Sequence, residues 1–133
     1  MEEKQKSPAG AVIIAFLIII TATCGLFNYK EEILTCKIDS DVCQIQRTNL
    51  FNMPSVKKIA KYSQVARASW YRQKIKGNRY SKGYKEFILI LELRNNNNVK
   101  LFSKTYYEKN EIDSAIKEIN YNLAQKKDFN YKR

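Results

Sequence analysis

The hydrophobic pattern of the chain falls into three regimes. Between Ser7 and Tyr29 no residue is charged, and Ala9–Phe27 (AGAVIIAFLIIITATCGLF) is apolar on every face. That run meets the ~20 apolar residues, at about 1.5 Å of rise each, that a helix needs to cross a bilayer. From Ile33 to Phe102 apolar residues recur at every second position and turn signals fall between the runs, which predicts six or seven short strands. From Asn110 the period lengthens: Ile112, Ile116, Ile119 and Leu123 recur at helical spacing beside Ala115, with Glu111 and Asp113 as acids in the first turn. This predicts an amphipathic helix over about 109–125 with Asn110 as its N-cap, its apolar stripe covering the preceding sheet.

Within the strand region, EEILTCKID and VCQIQRTNLF form a hairpin around Asp39-Ser40-Asp41. A short strand follows Pro54 (SVKKIA), then a connection at KYSQ, a longer strand VARASWYRQKIK and the loop GNRYSKG. In YKEFILILELR, Phe87, Leu89, Leu91 and Leu93 share one face and Ile88 and Ile90 take the other, the mark of a central strand. Asn95–Asn98 reads as the next turn and VKLFSKTYY as the returning strand. Beyond Gln125 the pattern is lost, so 127–133 is expected to fray. The expected organisation is a short tail (1–8), a transmembrane helix (9–27) and one β domain (30–126).

Other readings of the apolar run fit less well. MEEKQK is not a basic leader region and TATCG is a poor cleavage site. A lipidated Cys24 would call for a Leu where Thr21 stands.

If Cys36 and Cys43 face each other across the first hairpin, Leu34 pairs with Ile45 and Lys37 with Val42, placing both cysteines on the apolar face. Directly opposed residues satisfy the ~4.4–6.8 Å Cα separation of a disulfide, and a reduced core pair fits equally well. A metal site would need further ligands, and the chain has no His.

The net charge of +11 lies outside the first ten residues, where Lys4 and Lys6 balance Glu2 and Glu3. Without His, and with no activating group beside Ser or Cys, no nucleophile–base pair can be assembled and the chain reads as non-enzymatic. No cofactor is implied. The candidate binding patch is basic and aromatic: Trp70, Tyr71, Arg72, Lys74, Lys76, Arg79, Tyr80, Lys82, Tyr84 and Lys85. Such a rim suits anionic lipid head groups or a protein face, and a solvated Lys-rich surface is the plain alternative. Nucleic acid is disfavoured by the absence of its usual signatures. Lys30, Lys37 and Arg47 after the anchor outnumber Lys4 and Lys6 before it, which places the domain on the cytoplasmic or stromal side. A disulfide would argue the opposite.

The succession LTCKIDSDVCQI, SVKKIAKYSQVARASW, YKEFILILELRNNNNVKLFSKTYY and a helix ending EINYNL resembles small prokaryotic and plastid single-pass membrane proteins of undefined function that carry a C-x6-C hairpin and a PH-like β domain. The resemblance implies a partly open barrel of two antiparallel sheets closed by the C-terminal helix, and a head-group site on a strand–loop–strand. The bias to Lys, Asn and Ile matches AT-rich genomes, among them those of plastids, parasites and low-GC bacteria; in a red-lineage plastid a thylakoid or envelope protein would be expected. The expected function is an accessory or assembly subunit of a larger membrane complex, with anionic-lipid binding as the alternative.

Overall fold

The computed structural model describes residues 8–133; the charges of the N-terminal tail lie outside them. Helix α1 (Pro8–Phe27) is the apolar run, long and apolar enough to cross a membrane. Its side chains face outward along nearly the whole length, and Gly25 is its buried residue. Thr21 and Thr23 fold their hydroxyls back onto the carbonyls of Leu17 and Ile19 at 3.0 and 2.6 Å, so neither presents an unpaired donor to an apolar surrounding.

Among the described residues, seven strands form two antiparallel sheets. In the first, β1 (Tyr29–Lys37), β2 (Val42–Asn49), β3 (Pro54–Ala60) and β7 (Phe129–Lys132) lie in the order β3-β2-β1-β7. In the second, β4 (Val65–Ile75), β5 (Tyr84–Leu93) and β6 (Asn98–Lys100) lie in the order β4-β5-β6. The protein is therefore mainly β, with an open pair of sheets, an N-terminal apolar helix and a C-terminal helix α2 (Lys109–Ala124).

The register of the first hairpin follows the alternation: Cys36 pairs with Cys43, Leu34 with Ile45 and Lys37 with Val42. Leu34, Cys36, Cys43 and Ile45 are all buried, and a disulfide joins the two sulfurs. β5 is central and buried from Phe87 to Leu91, with Phe87, Leu89 and Leu91 in the main core while Ile88 and Ile90 lie outside that cluster. α2 covers the core through Ile112, Ala115 and Ile119, and the Asn120 side chain bonds both the N–H and the C=O of Ala68 on β4. Burying three such side chains supplies the driving force for docking that this 16-residue helix could not draw from propensity alone.

Four expectations are corrected. The tail 127–133 does not fray: Phe129–Lys132 pairs with β1, placing Phe129 opposite Cys36 and burying its ring. The helix begins at Lys109 behind Glu108, which makes no side-chain cap, so Asn110 is inside the helix. The strand after the Asn run is short: β6 ends at Lys100, Leu101 N–H still donates to Leu89 O, and the chain then leaves the ladder and rejoins it at the Phe87–Tyr106 bridge. Finally, β2 ends at Asn49, so Leu50 and Phe51 belong to a turn.

Glu32 ties the first sheet to the segment that follows β6. It is 3% exposed, and its carboxylate accepts the Arg47 Nε at 2.8 Å and the Ser103 N–H at 3.0 Å. A buried carboxylate is tolerable when paired and hydrogen-bonded in this way.

Candidate functional site

The β4–β5 hairpin carries most of the basic patch. Its register sets Ala68 opposite Leu91, Trp70 opposite Leu89, Arg72 opposite Phe87 and Lys74 opposite Lys85. Side chains alternate, so Ala68, Trp70, Arg72 and Lys74 line one face, continuous with the core face of β5. Trp70 meets Phe87 edge to face at 5.1 Å and marks where that core ends. Past it the same face continues as exposed Arg72, Lys74 and Lys85.

Lys74 and Lys85 thus stand directly across the ladder from each other. Like charges in that position destabilise a sheet. The ion pairs among the described residues are Arg47–Glu32, Arg67–Glu92, Lys109–Asp113 and Lys132–Glu31, and none involves Arg72, Lys74, Lys76, Arg79, Lys82 or Lys85.

The loop beyond is built rather than slack. The Asn78 Oδ1 accepts the N–H groups of Tyr80 and Ser81, each at 2.8 Å, and the Ser81 hydroxyl at 3.1 Å, while Asn78 N–H donates to Ser81 O. At its neck a Cβ on Gly77 would come within 2.5 Å of Gly83 N, and one on Gly83 within 2.7 Å of Ile75 O. Two glycines are needed because two backbones pass too closely for side chains. Lys74, Lys76, Gly77, Gly83, Tyr84 and Lys85 surround a shallow hollow of about 270 Å³ there, while Tyr80 stands out at the tip, 89% exposed.

All ten residues expected to form the patch belong to this element. Arg72, Lys74 and Lys85 share a face, Lys76 joins them at the neck, Arg79 and Lys82 flank the tip, and Trp70 is half-buried as a packing residue. The cross-strand Lys74–Lys85 opposition was not anticipated. Counting back from a turn centred on Arg79-Tyr80 would have shown it.

A larger cleft of about 580 Å³ lies between β4 and α2, lined by Tyr62, Val65, Arg67, Asn120 and Leu123 among others. Its Arg67 is already committed to Glu92 at 2.6 Å, an ion pair that holds the carboxyl below its ordinary range and the guanidinium above its own. Among the described residues no three of His, Cys, Asp and Glu come together as a metal site would require.

The hairpin also has a defined place in the molecule. β4 starts beside the β1–β2 turn, where Asp41 accepts the Ser63 N–H and hydroxyl, and β5 ends there through Arg94 N–H to Gln64 O. The Lys76–Gly83 loop is at the opposite end of that sheet. Phe87 near that end is bridged to Tyr106, whose ring lies 3.6 Å from the Arg133 guanidinium; Arg133 in turn donates its N–H to Glu32, close to the exit of α1.

Fold and site together define a small basic β module attached to one apolar helix. No family model, curated protein or solved structure matches the chain significantly.

Proposed function

We propose that this protein is a non-enzymatic binding module, held in a membrane by α1, whose β4–β5 hairpin engages the anionic head-group layer. The observation that carries this reading is the directly opposed Lys74–Lys85 pair at the neck of a preformed loop, with no carboxylate answering it among the described residues. Like charges set directly opposite destabilise a sheet, and an anion held between them relieves that repulsion. The nearest anionic surface to a tethered domain is the membrane that holds it. β4, at about 3.3 Å per residue, is long enough for the hairpin to extend the full depth of the domain from its outermost turn.

The disulfide bears on sidedness. A bonded Cys36–Cys43 pair favours an oxidising compartment for the domain, against the cytoplasmic or stromal side expected from the flanking charges. Modification of the full chain in sealed vesicles with impermeant reagents at surface lysines reads this directly.

The test uses the full chain in nanodiscs, with an environment-sensitive dye on Tyr80→Cys in a Cys24→Ala background. In discs containing phosphatidylglycerol the dye should shift to the blue, and raised salt or Lys74→Glu with Lys76→Glu should abolish the shift. Identical spectra in neutral and anionic discs would sink the head-group reading. The other role expected for the chain, docking on a larger membrane complex, uses the same cations against an acidic protein face. It becomes the better account if a protein co-purifies from native membranes and is lost with Lys74→Glu while the dye ignores lipid charge.

A further inference from the structure

The β2–β3 turn is an unusual sequence for a surface loop. Of its four residues, Leu50, Phe51, Asn52 and Met53, three are large and apolar, with Leu50 55%, Phe51 52% and Met53 48% exposed. Turns in water favour Gly, Asn, Asp and Ser because those residues serve the backbone and tolerate solvent. The backbone of this one is well served: the Asn49 Oδ1 accepts the N–H groups of Phe51 and Met53 at 3.0 Å each, and Asn52 takes a left-handed φ of 60°. The apolar side chains are therefore not recruited to stabilise the turn.

Its position supplies a reason for them. Leu50 N–H donates to the carbonyls of Gly25 and Asn28, both at 3.2 Å, which joins the turn to the last residues of α1. The Phe51 ring lies on Gly25, where any Cβ would overlap it. Gly25 is the buried residue of α1 because Phe51 covers it. Around this seat, Leu26 and Phe27 of the helix are 43% and 72% exposed, so helix end and turn present one continuous apolar surface. Lys30 bonds Asn52 at the polar edge of that surface.

We propose that Leu50–Met53 is a second membrane contact, an apolar wedge seated on the end of α1 and immersed at the boundary between head groups and acyl chains. The occupant of this patch is the bilayer, because the patch is continuous with the helix surface that the bilayer would cover. A single helix alone leaves a domain free to tilt and swing; a helix plus a rigidly joined wedge sets one face of the domain against the membrane. The proposal rests on the reading of α1 as a membrane span and does not depend on what the basic hairpin binds.

The experiment reconstitutes the full chain in phosphatidylcholine vesicles and reads tryptophan quenching by acyl-brominated lipid. In a Trp70→Phe background, single tryptophans are placed by Leu50→Trp and, separately, Met53→Trp. Ile18→Trp reports on the helix and Asp39→Trp on the outermost turn. Quenching at 50 and 53 should exceed that at 39 by at least about twofold, with blue-shifted emission, as for a side chain at the acyl boundary. If positions 50 and 53 quench no more than 39 while position 18 is strongly quenched, the wedge is wrong and the span survives. Blue-shifted emission at 50 and 53 without quenching means that protein, a second copy or another chain, covers the turn, and also overturns it. Weak quenching at 18 removes the span and the wedge with it.

Discussion

The two long hairpins of this protein are built from the same pairing geometry and put to opposite uses. The β1–β2 hairpin turns its apolar face inward, where Leu34, Cys36, Cys43 and Ile45 are all at most 1% exposed, closes that face with a disulfide, and balances its turn by fastening Asp41 to Ser63. The β4–β5 hairpin starts the same way at Ala68 and Trp70, then runs past its core and exposes Arg72, Lys74 and Lys85 on the face that had been apolar. One hairpin has met all its needs within the chain. The other has not, and an interaction surface is best sought where internal satisfaction stops.

The largest contrast is in stability. Leu34→Ala removes a fully buried side chain from the junction of sheet and core and should cost about 3 kcal/mol. Tyr80→Ala, at the exposed tip, should stay within about 0.5 kcal/mol. Chemical denaturation of the detergent-solubilised chain measures both, and comparable losses would erase the division between a structural and a functional hairpin. Next in size, replacing Cys36 and Cys43 together by Ala should lower stability by about 2 kcal/mol, the value for closing so short a loop. The double variant should then be indifferent to reductant, whereas the parent is not.

A smaller effect separates the hairpins more sharply because its sign reverses between two readouts. Lys74→Glu converts the like-charged pair with Lys85 into an opposite-charged one, and should raise stability by about 0.5 kcal/mol. The same change should weaken attachment of the hairpin to anionic discs. A residue whose removal stabilises the fold while impairing binding is placed for a partner. If Lys74→Glu instead destabilises, the pair is already relieved within the protein and the argument for an anion fails.

The first hairpin was legible in the sequence to the exact pairing, because both its strands alternate cleanly and two cysteines fix the register. The central place of β5 was equally plain from Ile88 and Ile90. The features that escaped are those in which a short segment answers to a distant one. Phe129 becomes a core residue only because β1 offers it an edge, and the single Phe129–Tyr131 alternation in KKDFNYKR is too short to announce a strand by itself. Leu101 and Phe102 are buried in succession where the chain leaves the edge of β5. The apolar turn Leu50–Met53 was absorbed into the preceding strand, since Leu and Phe extend a strand pattern as readily as they make a wedge. The basic patch was found as a composition, but its sharpest element, Lys74 across from Lys85, needed the register.

The smallest expected effect concerns acid, and it should touch the two loops unequally. Asp41 at the β1–β2 turn is held below its ordinary value of 3.8, first by the Ser63 backbone N–H and then by the Ser63 hydroxyl. A depressed carboxyl stabilises the folded state in full above its ordinary value, and that contribution is lost as pH falls through the lowered one. Protection of the Ser63 amide against hydrogen exchange should therefore be constant down to about pH 4 and decline below it. The Ser81 amide in the β4–β5 loop is held instead by the Asn78 side-chain carbonyl at 2.8 Å, a group with no proton to gain, and no acidic residue occurs between Val65 and Lys85. Its protection factor should not change over the same range. Loss of both amides together would mean that acid opens the whole domain, and that the two hairpins are one cooperative unit; loss at Ser63 alone keeps the basic loop as an independently organised element.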